Sequence, residues 1–312
     1  MKTGFGAPAP GTSLRQTPRR LWLLVGLSLA GGAVWPVARS EPVEVYILAG
    51  QSNAVGHNSA ASFTPPPFPE SLRSQPDVLF WPGSNAKPGL QNTWTTLQVG
   101  ASRVGENAFG PEITFGREMQ AARPRARLAI VKYAVGGTGI ARSGDYDDYI
   151  PALAGFDDRG DNWHPPEPGR PAGRLYENLL ANVRAALAAL ERDGHDGELR
   201  GFLWMQGEHE AGISRRMAAD YGRLLGNFRA QVRSDLGAPR LPFLVGQISD
   251  KWIFREPVQA AQERACADDP RSRLVVTRDL TRTPGDDAHY DATGMVLLGS
   301  RFAAAALALP AE

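Results

Sequence analysis

A serine directly after an apolar run is the first feature of this chain that could do chemistry. Ser52 lies in the tetrapeptide Gly50-Gln51-Ser52-Asn53, which follows the run Val43–Ala49. A strand that ends in small residues can present one hydroxyl beside free backbone N–H groups. A serine nucleophile needs this setting, because the N–H groups can bind the oxyanion that forms when an ester is attacked. Such turns also occur for conformational reasons alone, so other residues must show whether Ser52 is catalytic.

A histidine near the carboxyl end could act as the matching base. His289 lies in Asp286-Asp287-Ala288-His289. Histidine can take the serine proton and return it to the leaving group, and a carboxylate is needed to hold its tautomer. Asp286 can reach back around a turn, and Asp287 is the alternative if the turn shifts by one residue. Four weaker candidates for the base are His57, His164, His195 and His209, of which His209 is the main competitor.

Two further blocks follow apolar runs of strand length. Gly136-Gly137-Thr138-Gly139 comes after Leu128–Ala134, and Gln206-Gly207-Glu208 comes after Gly201–Met205. Glycines let the backbone approach a ligand and turn an N–H towards it, although a Gly-rich turn without function has the same composition. No Gly-Lys-Ser/Thr follows, so the first block is not a phosphate loop. The Gln206 side chain could donate an N–H to an oxyanion.

The acidic residues beside Gln206 raise the question of a metal site. Glu208, His209 and Glu210 are all of types that bind metals. Three adjacent residues rarely converge on one ion, however, and no matching second cluster is present in the sequence. We therefore predict no metal and no organic cofactor.

Apolar runs and helical patterns alternate along the chain, which predicts a three-layer α/β/α sandwich with a mostly parallel, five-stranded sheet. In such sheets ligands bind at the carboxyl ends of the strands, where the blocks above lie. The predicted strands are Val43–Ala49, Leu128–Ala134, Gly201–Met205, Pro242–Ile248 and Leu274–Thr277. The predicted helices are Glu112–Ala122, Gly173–Arg192, Arg215–Leu236, Glu256–Ala267 and Ala292–Leu307.

Two long irregular segments, 57–110 and 142–171, interrupt this alternation and contain several aromatic residues. Exposed aromatic rings among polar residues suit carbohydrate, because sugar C–H faces stack on them, but ordinary loop packing is an equal alternative. Trp163 in the second segment, and Asn53 beside the serine, are the candidate substrate contacts.

Residues 1–40 have the pattern of a secretory signal. Arg19-Arg20 precedes the apolar stretch Leu21–Val34, and Ala38-Arg39-Ser40 offers a cleavage site before Glu41. The paired arginines allow a twin-arginine type, and an uncleaved anchor is the alternative. We therefore divide the chain into a signal peptide, 1–40, and one catalytic domain, 41–312. The expected location is secreted or periplasmic, without stable membrane association after cleavage.

Composition narrows the class of protein further. Hydrophobic residues make up 42% of the chain, which predicts a packed globular core. The whole chain has a net charge of +1 and residues 1–40 contribute +5, so residues 41–312 carry −4. A mildly acidic domain gives no reason to expect nucleic-acid binding. With a single cysteine, Cys266, no intramolecular disulfide can form, and the expected state is a buried, inert thiol.

Taken in order, the blocks GQSN, GGT, WMQGE and DDAH resemble an SGNH-type hydrolase of the carbohydrate acetylesterase branch. This branch contains the sialate O-acetylesterase-like proteins and carbohydrate esterase family six. The resemblance spans residues 43–309 and includes Gly110-Pro111-Glu112 and Lys132-Tyr133-Ala134. It implies a flavodoxin-like fold and removal of O-acetyl groups from carbohydrates such as acetylated xylan or sialic acid. G-x-S-x-G is absent, which argues against an α/β-hydrolase.

The resemblance also implies a role for each block. Ser52 would be the nucleophile, His289 the base and Asp286 its acid, while Glu208 is a second possible acid. The implied oxyanion hole consists of Ser52, Gly136, Gly137 and Gln206. The chain departs from the family at Glu210, where Asp is usual, so the charge is kept and one methylene is added.

Two other functions remain open at this point. The same fold could serve a general short-chain or aryl esterase, or a thioesterase. A non-catalytic carbohydrate-binding protein is a different class, but it would not need a serine, a histidine and an oxyanion donor in one chain.

Overall fold

The computed structural model describes residues 42–57, 74–83, 89–102, 108–150 and 161–309. These residues belong to one compact unit, Arg39–Glu312. The expected signal peptide, 1–40, lies outside the described residues, as do large parts of the two irregular segments. Within the described ranges, no helix has both the length and the apolar character that crossing a membrane requires.

A seven-stranded sheet forms the centre of the unit, in the order β3-β2-β4-β1-β5-β6-β7. All neighbouring strands are parallel except β2 and β3. The strands are β1 (Val43–Gly50), β2 (Ser74–Pro82), β3 (Thr95–Gln98), β4 (Arg127–Ala134), β5 (Gly197–Met205), β6 (Phe243–Gly246) and β7 (Ser272–Val275). A separate antiparallel ribbon consists of β8 (Arg282–Thr283) and β9 (Asp286–Tyr290).

Helices cover both faces of this sheet. They are α1 (Ser52–Val55), α2 (Glu112–Ala122), α3 (Arg174–Arg192), α4 (Glu208–Ile213), α5 (Arg215–Asp235), α6 (Arg255–Ala267) and α7 (Ala292–Leu307). Alternate residues of β1 enter opposite cores: Val45 and Ile47 pack with α3 and α5, whereas Tyr46 and Leu48 pack with α2 and α7. Burial on both faces explains why β1 is a nearly continuous apolar run.

The predicted fold class is confirmed, but the strand count is corrected from five to seven. The two additional strands of the sheet, β2 and β3, lie inside the segment predicted to be irregular. The first half of β2 is largely exposed and contains Pro76, and β3 has only four residues at the edge of the sheet. Neither strand therefore has the long apolar run that marked the central strands in the sequence.

Candidate active site

Ser52 is placed by a sharp change of direction at the end of β1. Gly50 has φ +138°, and a Cβ there would lie 2.0 Å from the carbonyl oxygen of Met205, so only glycine fits. The Gln51 N–H donates to that same oxygen at 2.9 Å, which ties the turn to β5. Ser52 is the first residue of α1. The first N–H groups of a helix have no partner within the helix, so backbone donors lie beside the Ser52 hydroxyl.

His289 is carried by β9, and its acid partner is Asp286. His289 Nδ1 lies 2.6 Å from Asp286 Oδ2, while Asp286 Oδ1 accepts the Ala288 N–H at 3.1 Å. With Nδ1–H donated to the carboxylate, Nε2 is left as the proton acceptor. The other aspartate of the block, Asp287, is exposed.

Gly136 brings the serine and two histidine rings into one neighbourhood. A Cβ at Gly136 would lie 3.6 Å from Ser52 Cβ and 3.1 Å from His57 Nε2. The His57 ring stacks on the His289 ring with centroids 5.2 Å apart. The block after β4 therefore faces the nucleophile turn, as expected for strand ends that meet at one edge of the sheet.

Gln206 lies behind this turn, in a network of buried amides and a carboxylate. Its Nε2 donates to Glu210 Oε2 at 2.6 Å and to the carbonyl of Thr138 at 3.2 Å, and it has no exposed surface. Its Oε1 accepts the hydroxyl of Tyr221 at 3.1 Å. The amide is thus held by protein groups on both sides. Its donation to an oxyanion stays a prediction.

Glu210, the departure from the family pattern, also binds the segment after the glycine block. Its Oε1 accepts the backbone N–H groups of Ile140 at 2.6 Å and Ala141 at 3.0 Å. One carboxylate therefore joins this segment to the amide of Gln206. This role of Glu210 was not predicted, and its only signal in the sequence is its place two residues after the motif glutamate.

The contact of Glu208 is with Asn53, the residue next to the serine, rather than with His289. Its Oε1 accepts from Asn53 Nδ2 at 2.9 Å, and Oε2 has no hydrogen-bond partner in the described part of the chain. Burial raises the pKa of this carboxyl to about 7. Asn53 Nδ2 also lies 3.2 Å from the Ala288 carbonyl, and Asn53 Oδ1 accepts the Tyr290 N–H at 3.2 Å. The amide of Asn53 is therefore occupied by protein groups.

A buried ion pair supports α1 from behind. Lys132 Nζ lies 2.6 Å from Glu112 Oε2 and donates to the Val55 carbonyl, the last of α1, at 3.1 Å. The side chains of Lys132 and Glu112 are 4% and 1% exposed. Glu112 Oε1 also accepts the Gly110 N–H at 2.9 Å. These residues belong to the two minor blocks of the sequence, for which no role was predicted.

The remaining histidines lie in other environments. His209 Nδ1 donates to the Gly137 carbonyl at 2.9 Å, so it packs behind the glycine turn. His164 is buried against the carbonyl of Pro165, and burial lowers its pKa. His195 contacts Arg127 at the amino end of β4, which is the opposite end of the sheet.

The structure corrects the expectation that Trp163 offers an exposed face for sugar stacking. Its side chain has no exposed surface, and its indole packs edge-on against Tyr133 and Trp204. Its Nε1 donates to Thr138 Oγ1 at 2.8 Å. Trp163 therefore supports the glycine block from the core. The sequence could not distinguish this packing from exposure.

No group of three or more His, Cys, Asp or Glu side chains suited to a metal ion is found among the described residues. The described residues bring Ser52, Gly136 and the carboxylate-bound His289 into one neighbourhood, and a serine and a histidine are residue types that acyl transfer uses.

Comparison with solved structures identifies proteins of similar fold. A protein from Arabidopsis thaliana aligns with a TM-score of 0.61 and 21% identity, over 85% of this chain and 98% of its own length. NanS aligns with a TM-score of 0.60 and 18% identity, over 86% and 98%. A carbohydrate acetylesterase from Xanthomonas citri aligns with a TM-score of 0.51 and 18% identity, over 85% and 56%. A search of curated proteins finds no match.

The family comparison covers the part of the chain that holds the whole site. The model of the family described as carbohydrate esterase, sialic acid-specific acetylesterase matches residues 42–308. This range includes Ser52, Gly136, Gln206 and His289, and the resemblance found in the sequence is confirmed. The chain therefore belongs to this family of carbohydrate esterases.

Proposed function

We propose that this protein is a serine esterase that removes O-acetyl groups from carbohydrates through an acetyl-serine intermediate. The observation that carries the proposal is the pair His289 Nδ1–Asp286 Oδ2, at 2.6 Å, on the same site as Ser52 in a member of a carbohydrate esterase family. A histidine held in this tautomer is the base that an ester-cleaving serine requires.

In the proposed first half-reaction, Ser52 Oγ attacks the acetyl carbonyl carbon as His289 Nε2 takes the hydroxyl proton. Asp286 stabilises the imidazolium through the hydrogen bond at Nδ1. The developing oxyanion is bound by the Ser52 N–H and by the Gly136-Gly137 turn. Gln206 is a further donor if its amide exchanges one of its present acceptors for the oxyanion. The sugar oxygen then leaves with the proton from His289.

The second half-reaction runs through the same groups. Water replaces the sugar and is deprotonated by His289 as it attacks the acetyl carbonyl. The tetrahedral intermediate again places its negative oxygen against the backbone N–H groups. Collapse returns the proton to Ser52 Oγ and releases acetate. Water is the only reactant that this step adds to the groups named above.

The nucleophile is tested by hydrolysis of p-nitrophenyl acetate by residues 41–312, wild type beside Ser52→Ala. Substitution should reduce turnover to the background rate while the thermal melt stays unchanged. His289→Ala should lose nearly as much, because the members of a catalytic unit do not act additively. Full activity of the purified Ser52→Ala protein would exclude this mechanism.

The acyl and sugar preferences need a separate comparison. Acetyl and octanoyl p-nitrophenyl esters, followed by acetylated xylan and O-acetylated sialic acid, should show preference for acetyl and release of acetate from a glycan. Equal rates on octanoate would favour a general esterase or thioesterase. Glycan binding without ester cleavage would favour a carbohydrate-binding protein.

We also propose that residues 1–40 direct export and are removed before Glu41. The support is the arrangement of Arg19-Arg20, the apolar stretch Leu21–Val34 and Ala38-Arg39-Ser40. Amino-terminal sequencing of the exported protein should begin at Glu41. Retention of the intact chain in the membrane fraction would instead identify the segment as an anchor.

A further inference from the structure

The segment that carries His289 is not part of the central sheet. It belongs to the two-stranded ribbon β8–β9, whereas Ser52 follows β1 in the middle of the seven-stranded sheet. Main-sheet hydrogen bonds therefore do not fix the position of His289 relative to Ser52. Some other contact must hold the ribbon in register with the nucleophile, because a misplacement of about 1 Å can cost about a hundredfold in rate.

Asn53 provides such a contact. It directly follows Ser52, and its amide bonds the two backbone groups that flank His289. Nδ2 lies 3.2 Å from the Ala288 carbonyl, and Oδ1 accepts the Tyr290 N–H at 3.2 Å. One buried side chain thus links the residue after the nucleophile to both sides of the base.

This bridge works only with the amide in one orientation. If Asn53 were flipped, its oxygen would face the Ala288 carbonyl and its N–H groups would face the Tyr290 N–H. The Ala288 carbonyl and the Tyr290 N–H therefore select one orientation, and in it Asn53 Nδ2 also donates to Glu208 Oε1 at 2.9 Å. Both side chains are 1% exposed, so no bulk water is available to compensate an unmade bond.

We propose that Glu208 is a positioning residue that holds His289 in register with Ser52 through Asn53, and that it is not the acid of the imidazole. The inference builds on the esterase activity proposed above. It also removes Asn53 from the substrate contacts, because its amide is already used by the protein.

The test compares two variants of Glu208 with one of Asp286. Glu208→Gln keeps a carbonyl acceptor for Asn53, whereas Glu208→Leu has the same bulk and no acceptor. We expect Glu208→Gln to retain kcat within about tenfold and Glu208→Leu to lose about a hundredfold in kcat with little change in KM. Asp286→Asn should lose on the order of a thousandfold or more. A loss in Glu208→Gln as large as in Asp286→Asn would overturn the proposal.

A double-mutant cycle separates this role from a general structural one. If Glu208 acts only through Asn53, the double variant Asn53→Ala plus Glu208→Leu should lower kcat no more than Asn53→Ala alone. Fully additive losses would show that Glu208 acts by another route. Should Glu208→Leu fail to fold, the comparison of Glu208→Gln with Asp286→Asn still decides between the two roles of Glu208.

Hydrogen exchange of the Tyr290 N–H gives a readout that does not depend on catalysis. Its protection should fall in Glu208→Leu and in Asn53→Ala, and persist in Glu208→Gln. Unchanged protection in all three would refute the bridge even if the enzyme is active. If the wild type is protected but inactive and protection falls in Glu208→Leu and Asn53→Ala, the bridge is retained and the esterase proposal alone is refuted.

Discussion

The buried carboxyl of Glu208 makes the stability of this protein depend on pH in a specific way. Burial raises its pKa from 4.5 to about 7, and the hydrogen bond from Asn53 offsets only part of that effect. The folded protein therefore binds a proton at Glu208 that the unfolded chain has already released between those two values. The stabilising contribution is complete below pH 4.5 and is lost as the pH rises through 7.

The size of this contribution follows from the shift itself. A difference of about 2.5 pH units at about 1.36 kcal/mol per unit corresponds to about 3 kcal/mol, most of it lost between pH 5 and pH 8. Glu208→Gln removes the titration but keeps an acceptor for Asn53. Its free energy of unfolding should therefore rise by about 3 kcal/mol relative to the wild type on going from pH 5 to pH 8.

Urea unfolding of both proteins at pH 5 and pH 8 measures this difference. Burying the new amide changes the free energy of unfolding by the same amount at pH 5 and at pH 8. The comparison therefore uses only the difference in free energy between the two pH values. Glu256→Gln is the matched control, because it removes a carboxylate from a side chain that is 86% exposed. Parallel pH dependences of wild type and Glu208→Gln would refute the reasoning.

Three further predictions concern other parts of the molecule. Lys132→Met should lower the free energy of unfolding by about 3–5 kcal/mol in urea titrations, because it leaves Glu112 charged and unpaired; an unchanged midpoint would contradict this. Gly136→Ala should slow p-nitrophenyl acetate hydrolysis about tenfold or more, since its Cβ would lie 3.1 Å from His57 Nε2, and adding His57→Ala should restore part of the rate. Burial raises the pKa of Cys266 to about 12, so a thiol reagent at pH 8 should react slowly with folded protein and rapidly in urea; equal rates would contradict it.

The central elements were predictable because their burial leaves a pattern in the sequence. The bounds of α2 and α7 agree with prediction, and β1 and β4 agree within one residue. The ribbon around His289 was not predicted as strand. Its two strands have two and five residues, and their sequence is dominated by charged and turn-forming residues. Such a short polar ribbon has no periodic apolar signal.

The sequence predicted those site residues that follow a central strand, because the ends of these strands could be predicted. Ser52, Gly136 and Gln206 each follow a central strand, and parallel strands bring their ends to one edge. The choice between Asp286 and Glu208 as the partner of His289 could not be made from spacing. Both were compatible with the motif, and the outcome depends on a distance between segments far apart in the chain.

Glu210 has an implication for how this protein can change. By bonding Ile140, Ala141 and Gln206 with one carboxylate, it couples the segment after β4 to the amide that follows β5. Trp163, within segment 142–171, adds a second connection, because its Nε1 donates to Thr138 Oγ1 in the glycine block. Any redesign of glycan specificity around this site should therefore keep both Glu210 and Trp163 in place.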